Sequence, residues 1–164
     1  MIDTFRTTHR TGIGALELVT TDQHLVHCAF VPASTDGLWR AGLAAPSQMS
    51  GHPLLTAAVQ QLDGYLAGEL REFTLPLDLR LATAFGRQVL AALDTVGYGR
   101  TATYGELARA MGRPTAARAV GARLGANPLC VVVPCHRVVG ANGSLTGYAG
   151  GTEAKRRLLA LEGG

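Results

Sequence analysis

Cysteine is scarce in this chain. Cys28, Cys130 and Cys135 are an odd number without framework spacing, which excludes a secreted scaffold held by disulfides. Long apolar runs are missing too, so no segment reads as a membrane span. The first residues, Met1-Ile2-Asp3-Thr4-Phe5-Arg6, lack the basic-then-apolar order of a signal peptide. A reducing cytoplasm, with no membrane partner, is the expected setting. Charged residues are few, 16% against 47% hydrophobic, which excludes a disordered chain and describes an ordinary soluble globular one. The chain has a single tryptophan, Trp39, which is expected to act as a packing anchor.

What is present is length for one domain or two small ones, and an uneven distribution of charge. The net charge of +3 is modest. Arg100, Arg109, Arg113, Arg118, Arg123 and Arg137, however, are opposed in their stretch only by Glu106. Such a bias suits phosphate contacts, and equally a solvated helix face.

Residues 3–31 alternate apolar and polar positions and read as a β-meander, broken by Gly12 and Gly14 and by the turn-like Thr21-Asp22-Gln23. His24, His27 and Cys28 cluster there, but a strand places His27 opposite the other two and no fourth ligand stands at a suitable spacing, so an ordinary strand is expected and no metal site. Residues 32–52 read as a loop. Pro53 opens a helix whose apolar period runs to Gly68, and Phe73-Thr74-Leu75-Pro76-Leu77 reads as an edge strand. Together these make a small α+β unit, residues 1–81, with a linker between Asp78 and Thr83.

From residue 82 to 164 the pattern is mainly helical. Phe85, Val89, Leu93 and Val96 mark one helix; Thr103 and Glu106 form a capping-box pair for a second that Gly112 stops. Pro114 is expected to open a third, running to Gly125, so that the pair has helix-turn-helix spacing. The third helix is built from small residues, Ala116, Ala117, Ala119, Gly121 and Ala122, with Arg118 and Arg123 projecting. It could press closely on another helix or into a nucleic-acid groove.

Asn127-Pro128 is a turn signal that would tie the end of that helix to the valine-rich segment beyond it. Val131-Val132-Val133 reads as a short buried strand that Pro134 ends, leaving Cys135 at its mouth beside His136 and Arg137. A cysteine near a histidine and a cation ionises readily and can act as a nucleophile. The same nine residues also fit a small core cysteine followed by a turn. Asn142-Gly143 is a further turn, and Gly147-Tyr148-Ala149-Gly150-Gly151 is a loop with one aromatic, of the kind that walls a pocket. A last helix carries Glu162.

Pro134-Cys135-His136-Arg137-Val138, Asn127-Pro128, Ala116-Ala117-Arg118-Ala119-Val120-Gly121, Tyr104, Gly147-Tyr148, Gly150-Gly151 and Glu162 together resemble the O6-alkylguanine-DNA alkyltransferases (methylated-DNA–protein-cysteine methyltransferases). The resemblance implies a ribonuclease-H-like α+β domain followed by a winged-helix or helix-turn-helix DNA-binding domain. It implies a repair protein that flips a base through the minor groove and transfers the alkyl group once, to Cys135. His136 would act through a water as the base, Glu162 would orient it, Asn127 would brace the turn, and Tyr104 would donate to the leaving guanine. Arg118 would enter the stack, with Thr103, Tyr104, Ala117, Ala119, Gly121, Ala122 and Arg123 along the DNA. Val138, Tyr148, Ala149 and Gly150 would line the base pocket. The implied partner is double-stranded DNA containing O6-alkylguanine, bound by a monomer; cooperativity along the DNA and action on O4-alkylthymine stay open. No cofactor is implied, and the zinc ligands that some relatives carry have no counterpart here.

Overall fold

Alternation along the first thirty residues produces three antiparallel strands, β1 (Phe5–Thr11), β2 (Gly14–Thr20) and β3 (Leu25–Phe30). The computed structural model describes residues 1–49 and 51–163, and the chain divides into two compact units, Met1–Leu81 and Ala82–Gly164. Among the described residues no helix is long and apolar enough to cross a membrane.

In the first unit β1 pairs with β2 from Phe5 opposite Thr20 to Thr11 opposite Gly14, where φ of +127° uses the freedom of glycine. A short β4 (Ser47–Gln48) lies parallel to β1, giving the sheet order β3-β2-β1-β4. Leu16 and Leu18, alternate residues of β2, are completely buried, as is Cys28 opposite Leu18. Helix α1 (Pro53–Leu66) packs on the sheet with Leu55, Ala58, Leu62 and Tyr65 buried. His52 caps it, its Nδ1 accepting from the Leu54 amide at 3.2 Å. Val19 points to the other side of β2 and meets Val26, Leu38 and Leu43.

Two expectations for this unit need correction. Trp39 is 61% exposed, with the Arg40 guanidinium 5.3 Å from its ring centroid, and is no packing anchor. The 3-10 turn Trp39–Ala41 is closed by Leu38, whose carbonyl accepts from Ala41 and Leu43, so the two leucines point inward and Trp39 faces out. The segment 73–77 is not an edge strand either. It makes one parallel bridge, Leu77 with Leu25, in which Leu25 N donates to Pro76 O at 2.8 Å and Asp78 N to Leu25 O at 3.0 Å. Pro76 has no N–H with which to extend a ladder.

The second unit begins with α2 (Ala84–Ala92), capped by Thr83 and continued by the 3-10 turn Leu93–Thr95. A two-residue strand β5 (Ala102–Thr103) leads into α3 (Tyr104–Ala110), where Thr103 and Glu106 form the expected capping box. Gly112, at φ +72°, ends that helix. The next helix, α4 (Ala117–Gly125), starts three residues later than Pro114 would suggest. Pro114 and Thr115 instead lie in a turn closed by Ala116 N to Arg113 O at 3.0 Å, which reverses the chain so that α4 can pack on α2 and α3. Strand β6 (Val138–Val139) pairs parallel with β5, and α5 (Gly151–Gly163) closes the unit.

Replacing Leu43 by alanine should cost about 2–5 kcal/mol of stability. Trp39→Ala should stay within about 0.5 kcal/mol of the parent. Denaturant midpoints of the two variants check the pair; equal losses would contradict the outward placement of Trp39.

Candidate active site

The valine run does not form a strand. Cys130 and Val133 bridge each other, Val132 N donates to Cys130 O at 2.8 Å and Val133 N to Leu129 O at 2.9 Å, so the chain doubles back. Val131 takes φ of 71°, the left-handed region in which a β-branched residue is strained by about 1–3 kcal/mol. The side chain of Asn127 supplies what a neighbouring strand would have supplied. Its Oδ1 accepts from Leu129 N at 2.9 Å and its Nδ2 donates to Val133 O at 3.0 Å. The three valines are buried at 1%, 8% and 9% exposure, which is why their pattern resembles a core strand. The chain then enters a 3-10 turn, Cys135–Arg137, with Cys135 N donating to Val133 O at 2.8 Å.

Glu162 of α5 organises the far side of this turn. Arg137 grips its carboxylate with two prongs, Nε to Oε1 at 2.8 Å and Nη2 to Oε2 at 3.1 Å, while Nη1 donates to Val96 O at 2.9 Å. His136 Nε2 lies 2.9 Å from Glu162 Oε2. Burial holds the imidazole below its ordinary titration range against the opposing pull of Glu162, so the ring is neutral near pH 7. A neutral ring facing a carboxylate carries its proton on Nε2, which leaves Nδ1 as the basic nitrogen. The Tyr148 ring meets His136 edge-on, with centroids 6.4 Å apart at 82°.

Cys135 is 7% exposed. Its thiol nevertheless titrates below the usual range. A hydrogen bond from Cys130 is the largest cause; burial opposes it, and a bond from Asn127 and the charge of Lys155 add to it. Lys155 is almost fully buried, its Nζ donating to Val138 O at 2.6 Å and Thr146 O at 3.4 Å. Tyr104 comes to the same carbonyl, its hydroxyl donating to Thr146 O at 3.2 Å. Burial and the nearby Cys135 both raise the Tyr104 pKa, so the phenol keeps its proton. The parallel pairing of Thr103 with Val139 accounts for this placement, because Tyr104 is next to Thr103 and Val139 lies four residues beyond Cys135. The cluster thus holds an ionisable thiol, a neutral imidazole backed by a carboxylate, and a protonated phenol: a nucleophile, a base and an acid.

The 6-O-methylguanine DNA methyltransferase ribonuclease-like domain matches residues 5–79, and the DNA binding domain of the same name matches residues 84–164. The chain belongs to the 6-O-methylguanine DNA methyltransferase family. A methylated-DNA–protein-cysteine methyltransferase of Mycolicibacterium paratuberculosis is 47% identical over 150 residues, 92% of this chain and 87% of the relative. One from Methanosarcina acetivorans is 51% identical over 109 residues, 65% and 67% of the two chains. The crystal structure of Mycobacterium tuberculosis O6-methylguanine methyltransferase superposes with a TM-score of 0.85 at 42% identity, covering 98% of this chain and 93% of that one. The same mycobacterial protein in complex with DNA gives 0.81 at 42% identity, covering 99% and 93%.

The α+β unit followed by a mainly helical one is therefore the family's ribonuclease-like and DNA-binding pair. In this member Cys135, His136, Asn127 and Glu162 are all buried around one turn, with Tyr104 half-buried beside them. Along α4, Arg118, Ala119 and Ala122 are exposed, and Ala117 and Gly121 half-buried. Gly121 has a nearer use than a groove: a Cβ there would sit 3.4 Å from the Tyr104 ring. Arg123 lies five positions beyond Arg118, so it leaves another face of the helix, and its stem lies over Gly86 of α2. The Thr103 hydroxyl is occupied by the Glu106 amide at 3.1 Å. Val138 is completely buried, while Tyr148 and Gly150 are half-buried and Ala149 exposed on the loop after Thr146.

Three residues take roles that local pattern does not announce. Lys155 reads as surface charge, yet it shares the buried stripe of Ala154, Leu158 and Glu162 at helical spacing, and that stripe is the signal that could have found it. Arg137 stands in sequence as a charge beside the cysteine; its two-pronged grip on Glu162 has no sequence signature. Cys130 reads as part of an apolar run.

Asn127→Ala would strand the Leu129 amide in the interior, at about 1–3 kcal/mol, and would take from the Val133 carbonyl one of its two donors while the Cys135 amide remains; denaturant unfolding reads the loss. Thiol labelling of the folded protein at mildly alkaline pH should reach Cys135 before Cys28, whose thiol burial pushes up to about 12. Mass analysis of the peptides checks this, and labelling of both at one rate would contradict it.

Proposed function

We propose that this chain repairs double-stranded DNA containing O6-alkylguanine by taking the alkyl group onto Cys135, with DNA as substrate and no turnover. The observation that carries the proposal is a thiol kept ionisable while only 7% exposed, inside a unit whose helix-turn-helix presents Arg118 on an open face. A sulfur so placed cannot reach a base within the stack. The nucleotide must rotate out, at a cost of a few kcal/mol. Arg118 fills the gap and neutralises phosphate, and the small side chains of Ala119 and Ala122 let the helix approach the groove.

In the transfer, His136 takes the Cys135 proton through a water on Nδ1, and Glu162 and Arg137 hold the imidazole in the tautomer that can accept it. The sulfur attacks the alkyl carbon in line. The S–C bond forms as the C–O6 bond breaks, and its electron pair leaves with the guanine. Tyr104, which keeps its phenolic proton, donates to the departing base. Val138, Tyr148, Ala149 and Gly150 hold the ring during this step. A thioether has no good leaving group, so the protein acts once.

Incubation with a duplex carrying O6-methylguanine should add one methyl group to the Cys135 peptide, and Cys135→Ala should abolish the addition. An unmodified Cys135 in folded protein would falsify the proposal. Arg118→Ala should slow reaction with the duplex at least tenfold and leave reaction with the free alkylated base nearly unchanged; equal losses would remove Arg118 from the flipping step. Affinity for duplex should also fall steeply as salt rises.

A further inference from the structure

The carboxylate behind His136 is also held from the turn that leads into β5. Arg100 N donates to Gly97 O at 3.0 Å and closes that turn, with Gly99 at φ +79°. Three groups of the turn face the Arg137–Glu162 pair. Val96 O accepts from Arg137 Nη1 at 2.9 Å, and the Gly99 amide points to Glu162 Oε1 at 3.5 Å. Between them in sequence, the Tyr98 ring lies against the guanidinium, with 5.8 Å from its centroid to the guanidinium carbon. Arg137 uses its edge for hydrogen bonds, Nε and Nη2 to Glu162 and Nη1 to Val96. The flat face of a guanidinium makes none, and an aromatic ring is the partner that face accepts. Side-chain exposure of 11% at Arg137 and 1% at Glu162 shows how little water reaches the pair.

We propose that Tyr98 is a positioning residue for the transfer: its ring keeps the Arg137 guanidinium seated on Glu162 and shielded from water, and through that carboxylate it fixes the His136 imidazole. The proposal rests on His136 being the base for alkyl transfer to Cys135. Around the imidazole stand Glu162 and Lys155 from α5, Arg137 and the adjacent Cys135 from its own turn, and the edge of Tyr148 from the loop before α5. Glu162 draws a proton onto the ring, while burial, Arg137 and Lys155 oppose it. Leucine in place of Tyr98 keeps the apolar bulk but gives the guanidinium no π-face. Arg137 then exchanges part of its hold on Glu162 for water. Glu162 is less neutralised and the ring less dry, and both changes raise the affinity of the imidazole for a proton. A protonated imidazole cannot accept from sulfur, so the transfer is lost first at the acid end.

The test compares the full chain with Tyr98→Leu, which removes the ring, and Tyr98→Phe, which keeps it. Two quantities are followed against pH. One is the imidazole proton resonance of His136, assigned by its absence from His136→Gln. The other is the rate of methyl transfer from a duplex carrying O6-methylguanine, read from the mass of the Cys135 peptide. In Tyr98→Leu the His136 titration and the acid limb of the rate should both move up by about one pH unit, an approximately tenfold loss on that limb that vanishes at higher pH. Tyr98→Phe should coincide with the parent in both. A His136 titration that stays in place in Tyr98→Leu, or moves as far in Tyr98→Phe, would overturn the proposal, as would a slowing uniform at every pH. If the titration moves as expected while the parent takes up no methyl group, the hold of Tyr98 on His136 stands and the repair reading falls.

Discussion

A nucleophilic sulfur that is shut away from water has to find elsewhere the stabilisation that water gives an anion. At Cys135 it comes from hydrogen-bond donors on a single turn and from a buried ammonium, and the rest of the second unit is arranged to keep those groups in place. Asn127 closes that turn, through Leu129 and Val133, and adds to the preference for the thiolate. Burial works against ionisation at every thiol in the chain. At Cys28 nothing opposes it, and that thiol stays protonated.

The same logic separates the two buried ionic groups that flank Cys135. Glu162 is satisfied by Arg137, His136 and the Gly99 amide, so its charge is held and the imidazole is oriented. Gly99, at φ +79°, lets that backbone come close: a Cβ there would meet the Glu162 carbonyl at 3.1 Å. Lys155 has carbonyls for partners, Val138 and Thr146, and so remains a source of positive potential for the sulfur. Lys155 therefore favours the thiolate at Cys135, while burial, against the pull of Glu162, keeps the His136 imidazole neutral.

Much of the architecture could be read from local pattern. The β-meander, the Pro53 helix, the Thr103–Glu106 cap and the Asn142-Gly143 turn all come from residue periods and capping chemistry, which act over a few residues. The failures share one cause. Trp39, Pro76 and the valines 131–133 carry strong local signals whose outcome depends on neighbours distant in the chain. Trp39 is displaced outward because Leu38 and Leu43 already cover the sheet face. The valines are buried on all sides by a turn, not by flanking strands, and composition cannot tell these apart.

The sequence alone singled out Cys135 as the candidate nucleophile and His136, Arg137 and Asn127 as its neighbours, because Pro134-Cys135-His136-Arg137 and Asn127-Pro128 are contiguous and their chemistry is local. It also determined the order of the two units and the bias of the arginines. Tertiary structure decided which charges act together. Glu162 and Lys155 reach the cysteine turn only because α5 lays one stripe against it, and Tyr104 only because β5 pairs with β6. Hydrogen bonds and Coulomb forces act through space at a few ångströms, and that proximity is set by packing rather than by spacing along the chain.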